Sequence, residues 1–363
     1  VYHDAEDVVV LNKNESYEDH ADQLVEKYDV QSGYWWVELG GDWDDIIKSA
    51  EDIRYELYRC VYGVWDHIKN GGNHGAENYE LIWVGNVAGS RESRRLVGLS
   101  TLTEQDILGN HIFEDGVAYG GWPMDEHTAG GFAAKGKIPS KVRSFEGLYS
   151  IPYGCYCSRN IENLMMSGRN ISASKLAMGS TRVMGTCAVG GQAVGTAAAM
   201  MVQKGCTPAE LGRYHIQELR QTLLKDDCYL LGCRNTDSND LARTAVVTAS
   251  SHQKGYEAEK VINGVARDEG TTTNSWRSCG IRPEGEELCL KLKEAACVSQ
   301  VRVTLDPNLS EERCISVSKA FLEKEPIGVA RELVRDFTVQ LRYQGNCVWS
   351  EKISGNYQRL RVI

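Results

Sequence analysis

Between positions 44 and 70, apolar residues recur at steps of three and four: Ile46, Ala50, Ile53, Leu57, Val61, Val64 and Ile68. That spacing predicts one long amphipathic helix with its stripe turned to a core. Acidic residues crowd the first turn, where they complement the positive end of the helix dipole, and Asn70-Gly71-Gly72 stops it. Short apolar runs at 8–11, 34–39 and 79–84 read as strands. The stretch 116–136 is glycine-rich, carries Trp122, Asp125 and His127, and reads as a loop. Thr207-Pro208-Ala209-Glu210 is a capping box with proline at the first helical position, and predicts a helix to about Leu224. A polar, turn-rich linker follows at 232–240. Beyond it lie short strand patterns at 245–249, 287–292, 298–305 and 337–343, the second alternating as a half-buried strand should. That texture predicts a β-sandwich module.

The segment 163–199 is the most informative. An apolar run, Leu164 to Met166, ends on Ser167-Gly168-Arg169, and reads as a strand. Some twenty residues on comes a helix expected to start among Gly190, Gly191, Ala193, Gly195, Thr196, Ala197 and Ala198. A helix of small residues approaches a ring or another backbone closely, and its N-terminus offers free N–H groups to an anionic or electron-rich group. The spacing alone serves a cofactor or a simple packing helix equally well.

Two further clusters carry candidate chemistry. Arg91-Glu92-Ser93-Arg94-Arg95 gathers three guanidiniums, each a two-pronged clamp for carboxylate or phosphate, or else a solvated charge run. In Trp122-Pro123-Met124-Asp125-Glu126-His127 the acid lies two residues from the histidine and is placed to orient it. His127 with Asp125 suits a base that takes a hydroxyl proton; an ordinary loop histidine paired to an acid is the alternative. Lys175 reads as a surface lysine or an anion clamp, and the other histidines show no arrangement.

Gly168-Arg169, Arg182-Val183-Met184 and Gly191-Gln192-Ala193-Val194-Gly195-Thr196-Ala197-Ala198 resemble, in order, the C-terminal flavin-contacting signature of FAD-dependent oxidoreductases related to the fumarate reductase flavoproteins, and more closely a bacterial branch of them. The similarity extends upstream through YWWVELGG, GSRESRRLVG and GGWPMDEH. It implies FAD as cofactor, with Gly168, Arg169, Arg182, Gly191, Gln192, Gly195 and Thr196 on the flavin side. It also implies His127, Asp125, Arg91 and Arg95 as catalytic residues facing a small-molecule or glycan substrate. Relatives often carry histidine near Lys175, a departure that puts any role there in doubt. The Gly-x-Gly-x-x-Gly turn that should hold the pyrophosphate is not found. The expectation is therefore a chain without its N-terminal Rossmann half, which alone holds flavin weakly and is inactive.

Val247-Thr248-Ala249-Ser250-Ser251, Ala258 to Gly264 and Asn274-Ser275-Trp276 resemble a discoidin-type, galactose-binding-like domain, with its closing strands expected beyond Ile363. Asn263 stands where that family often has Asp, which weakens any carried-over calcium ligand, so no metal is assigned.

The predicted architecture is an α/β (α+β) oxidoreductase portion at 1–232 followed by a truncated discoidin-like β-sandwich at 240–363. A net charge of −10 argues against nucleic acid and anionic membrane as partners, and no apolar run approaches the roughly 18 residues of a transmembrane helix. Twelve scattered cysteines read as buried, reduced thiols rather than a disulfide framework. They point to a reducing compartment, whereas the module points to the cell envelope or outside. Two other functions compete: a carbohydrate-binding or adhesion protein acting through the C-terminal module and, ranked last, a hydrolase or lyase, for which neither a serine elbow nor paired carboxylates are legible.

Overall fold

The computed structural model describes residues 37–40, 43–71, 74–91, 93–131, 134, 137–138, 140–309, 311 and 328–363. The strand expected at 8–11 and the start of that at 34–39 lie outside these residues; the described part, 37–40, is irregular.

Helix α1 (Ala50–Asn70) realises the first amphipathic pattern and buries Ile53, Cys60, Val64 and Ile68. It starts later than the periodicity predicts. Asp45 Oδ1 accepts the N–H groups of Ile47 (3.0 Å) and Lys48 (3.1 Å), so a side chain captures the donors that a preceding helical turn would have used. The strand expected at 79–84 does not form: Ile82 and Trp83 are exposed, and no described strand pairs with this run.

After α2 (Glu104–Leu108), the glycine-rich stretch read as a loop contains two strands. β1 (Gly116–Gly120) pairs antiparallel with β4 (Tyr149–Pro152), and β2 (Met124–His127) with β3 (Ser140–Arg143). Glycine here serves close approach rather than a break: a Cβ on Gly120 would run into the Tyr149 ring.

Beyond Arg169, the chain forms α3 (Lys175–Thr181), α4 (Met184–Lys204), α5 (Pro208–Tyr214) and α6 (Ile216–Lys225). Ser174 caps α3 through the Ala177 N–H (3.2 Å). The capping box before α5 is present in full, with Glu210 accepting from the Thr207 N–H at 2.8 Å. The single helix predicted to Leu224 is instead two, broken at His215, which ends α5 and opens α6. The break leaves Leu211 and Leu219 both facing the core. That core runs from Leu102 to Leu230 and joins Val117, Tyr149, Ile151 and Tyr156 to Ala193, Ala197 and Leu223. Leu164 to Met166 is no strand; Met165 makes an isolated bridge to Cys157.

Downstream β5 (Val246–Ala249), β6 (Leu288–Lys291), β7 (Arg302–Thr304) and β8 (Phe337–Tyr343) fall near the four predicted places, and β9 (Asn346–Ile353) and β10 (Leu360–Val362) are added to them; β5 pairs with β6, β7 with β10, and β8 with β9. Among the described residues no sheet exceeds two strands, and the stacked sheets of a sandwich are not seen. The stretch between the two regions is tied down: Asn235 N–H donates to the Gly264 carbonyl (2.9 Å) and Thr236 N–H to Gln221 Oε1 (2.8 Å). Arg359 reaches back to Asp227 (2.8 Å), and Arg267 stacks on the Tyr229 ring at 4.6 Å. No described helix is long and apolar enough to cross a membrane.

Candidate active site

Strand β2 sets the site. Its alternation puts Asp125 and His127 on one face and Glu126 on the other, where Glu126 meets the exposed Lys175 at 3.4 Å. Helix α3 lies so close over β2 that a Cβ on Gly179 would come within 2.7 Å of the Asp125 carbonyl oxygen. This packing buries Asp125, whose side chain is 4% exposed, and delivers Arg182 from the end of α3.

Five charged side chains converge there. Asp125 Oδ2 lies 2.8 Å from His127 Nε2 and 2.8 Å from Arg182 Nη2. His127 Nδ1 lies 2.7 Å from Glu38 Oε2, and Arg91 Nη2 pairs with Glu38 Oε1 at 3.0 Å. Arg91 Nη1 also sits 2.7 Å from His127 Nε2. Guanidinium only donates and carboxylate only accepts. Nε2 therefore serves Asp125 when it carries a proton and Arg91 when it does not.

The electrostatics follow from burial and pairing. Burial pushes the Asp125 carboxyl up, but the hydrogen bond from His127 and the charges of His127, Arg182 and Arg91 outweigh it, and the net shift is down. Burial pulls His127 down; its bonds to Asp125 and Glu38 and the Glu38 charge overcome this and the opposing Arg91 charge, and the net shift is up. Arg182 is held below its ordinary value, by burial and then by Arg91. With His127 protonated, three positive groups face two carboxylates, so the cluster attracts an anion. Asp125 Oδ1 and Thr181 Oγ1, which precedes Arg182, are buried without a hydrogen-bond partner, and Arg91 Nη2, ion-paired with Glu38 at 3.0 Å, lacks hydrogen-bond geometry. Unsatisfied groups of this kind collect where a water or ligand belongs.

The structure thus brings together His127, Asp125, Arg91 and Arg182. Arg95 stands apart, directed to Met178 Sδ at 3.5 Å. Arg169 joins from the other side, donating to the Arg91 carbonyl at 3.0 Å, and Gly168 turns the chain there with φ 99°.

The small-residue helix needs correction. It begins at Met184, so Gly190 to Thr196 lie in its interior, and the free N–H groups are those directly after Arg182 and Val183. What the glycines offer is a bare face. A Cβ on Gly191 would touch only Ser167 Oγ at 3.7 Å, and at Gly195 it would meet nothing within 4 Å. Gln192 is exposed and Thr196 half-buried beside them. A planar group has room to lie against this helix and the Ser167-Gly168-Arg169 turn.

Glu38 escaped the sequence reading because it sits at the end of an apolar run as a lone acid; only the fold shows that it faces His127. No group of three or more His, Cys, Asp or Glu among the described residues is arranged to hold a metal ion. The described cysteines are all free; Cys60, Cys155 and Cys157 are buried, but Cys279, Cys289, Cys297 and Cys347 are exposed, against the expectation of buried thiols.

A family model described as FAD dependent oxidoreductase matches residues 4–223. No curated protein matches the chain. No solved structure matches it.

Proposed function

The chain belongs to the family of FAD-dependent oxidoreductases, and from that premise we propose that it moves hydride between a hydroxylated or carboxylated organic substrate and flavin. The observation that carries this reading is the convergence of Glu38, Arg91, Asp125, His127 and Arg182 in one partly buried cluster, net positive when His127 is protonated. Arg91, whose Nη2 is ion-paired with Glu38 but makes no hydrogen bond, contributes positive charge toward the substrate's anionic group. His127 exchanges the hydroxyl proton at Nε2, and Asp125 holds both the imidazole and Arg182 in place.

Gly168, Arg169, Gly191, Gln192, Gly195 and Thr196 form the surface suited to the flavin, with Arg182 between it and the substrate cluster. The flavin, when bound, supplies the two-electron chemistry; the protein supplies orientation, charge and a route for the proton. Arg95, bonded to Met178, has a supporting rather than a catalytic place in this reading.

The reading divides the chain into an oxidoreductase unit, 1–232, and a second unit, 240–363, a division supported by a family match that ends at 223. The second unit retains its discoidin-like assignment on its sequence resemblance and its three antiparallel strand pairs, with a glycan as its proposed ligand. A glycan array decides that part.

The test of the whole is the visible spectrum of protein made from its complete reading frame. A flavin band that bleaches when hydroxy acids or sugars are added supports the reading. A colourless protein that takes up no FAD overturns it.

A further inference from the structure

We propose that Glu38, rather than Asp125, is the residue that fixes the tautomer of His127 and makes Nε2 its working nitrogen. This deepens the reading above and rests on it for the role of His127. The two acids are not equivalent. Asp125 uses one oxygen, Oδ2, for both His127 Nε2 and Arg182, each at 2.8 Å, so it is shared with a permanent cation. Glu38 divides its work: Oε2 meets His127 Nδ1 at 2.7 Å, while Oε1 meets Arg91 at 3.0 Å.

Neutral imidazole carries one proton, and the surrounding groups decide which nitrogen keeps it. With the proton on Nδ1, Glu38 accepts it and Nε2 accepts from Arg91 Nη1 at 2.7 Å; one contact is left repulsive, bare Nε2 against Asp125 Oδ2 at 2.8 Å. With the proton on Nε2, Asp125 accepts it, but Nδ1 then sets a lone pair against the Glu38 carboxylate and Nε2–H opposes an Arg91 donor. This tautomer has one hydrogen bond and two repulsive contacts, against two hydrogen bonds and one repulsive contact for the other, so the balance favours Nδ1–H. Among the described residues, the charged and titratable groups facing His127 are Glu38, Arg91, Asp125 and, through Asp125, Arg182; of these, Glu38 alone addresses Nδ1. Glu38 holds Nδ1–H in both protonation states, and the exchangeable proton is confined to Nε2, on the side of Asp125 and Arg91. Glu38 is thus a positioning residue that acts through His127.

The test uses the complete protein with its flavin, labelled with nitrogen-15 at histidine, with the His127 signals assigned by their loss in His127→Asn. Nitrogen shifts and two-bond couplings across a pH titration report the tautomer directly, without turnover. The expected wild-type result above the His127 pKa is a protonated Nδ1 and a bare Nε2. A wild-type spectrum with the proton on Nε2 overturns the proposal whether or not any variant folds. In Glu38→Gln the His127 pKa should fall, and in Glu38→Ala the Nδ1–H population should drop, with partial recovery in Glu38→Asp. An unchanged tautomer in folded Glu38→Ala also overturns it. If the tautomer is as stated but the protein takes up no flavin, the functional reading fails and the role of Glu38 stands.

Discussion

The chain builds acid–arginine pairs in both its regions, and water treats them differently. Around β2, Asp125 and Arg182 meet at 2.8 Å with side chains 4% and 13% exposed. Downstream, Arg277 meets Asp306 at 3.3 Å with side chains 44% and 40% exposed. An exposed pair is screened and trades protein contacts for water contacts of similar worth, whereas a buried charge depends on its partner. The hydrophobic core explains the difference. It is drawn from Leu102 to Leu230, while the second region buries only scattered apolar residues such as Val247, Ala258, Leu333 and Ile353. Charge is held in a fixed arrangement where the fold is dense enough to exclude water, and that is where the proposed chemistry lies.

The sharpest way to break this comparison is to remove one partner from each pair. Asp125→Ala leaves Arg182 and His127 facing each other without their shared acid, and should cost roughly 3–5 kcal/mol. Arg277→Ala, even with the loss of its stacking on Tyr256 at 4.2 Å, should cost about 1 kcal/mol. Urea-denaturation midpoints of the two variants decide. Equal losses would mean that burial does not separate the two regions.

Two glycines sharpen it further. Gly179→Ala forces a methyl group against the Asp125 backbone, where the nearest atom would be 2.7 Å away, and should destabilise by about 1–3 kcal/mol. Gly195→Ala faces open space in the middle of α4 and should stabilise the fold by up to about 1 kcal/mol through helix propensity. On the functional reading, the same Gly195→Ala change weakens flavin retention, so stability and cofactor content should move in opposite directions. If flavin content is untouched, the bare face of α4 is not the flavin surface.

How much of this was legible beforehand depended on whether the signal was local. The capping box at Thr207 and the stripe of α1 are written within a few residues of each other and were found. Asp125 and His127 were paired correctly because two residues is one strand period, although the glycines around them disguised the strand. The start of α4 at Met184 carries no local signal, because the preceding residue, Val183, has extended φ and ψ and no capping side chain. Asp45 shortened α1 through a side-chain bond that periodicity does not register. Glu38 and Arg91 meet across 53 positions (91 minus 38), a distance no spacing rule spans. The second region was harder still, since short alternating strands announce pairing but not which pairs stack.

The smallest effect concerns pH, and its sign separates the two regions. His127 has its native pKa raised above the ordinary value near 6.5. Its pairing therefore stabilises fully below that value and is lost as pH rises through the higher native pKa. Asp125 has its native pKa lowered from 3.8, so its contribution is present above that value and lost as pH falls through the native one. In the second region Glu286, bonded to Ser250, Arg282 and Ser251, is lowered to about 2 and follows the acid pattern alone. The first region should then lose stability at both ends of the pH range, and the second only in acid. For one proton the alkaline slope is at most about 1.4 kcal/mol per pH unit. His127→Asn should flatten that alkaline limb and weaken, without abolishing, the acid limb, because Asp125 loses the bond and charge of His127 but keeps Arg182. Denaturation midpoints followed from pH 6 to about pH 8 test it, below the range where the buried thiols of Cys155, Cys157 and Cys228, pushed up by burial, add their own alkaline loss. An alkaline limb that survives the substitution would show that some group other than His127 sets it, and would remove the evidence that this histidine is held protonated between two acids.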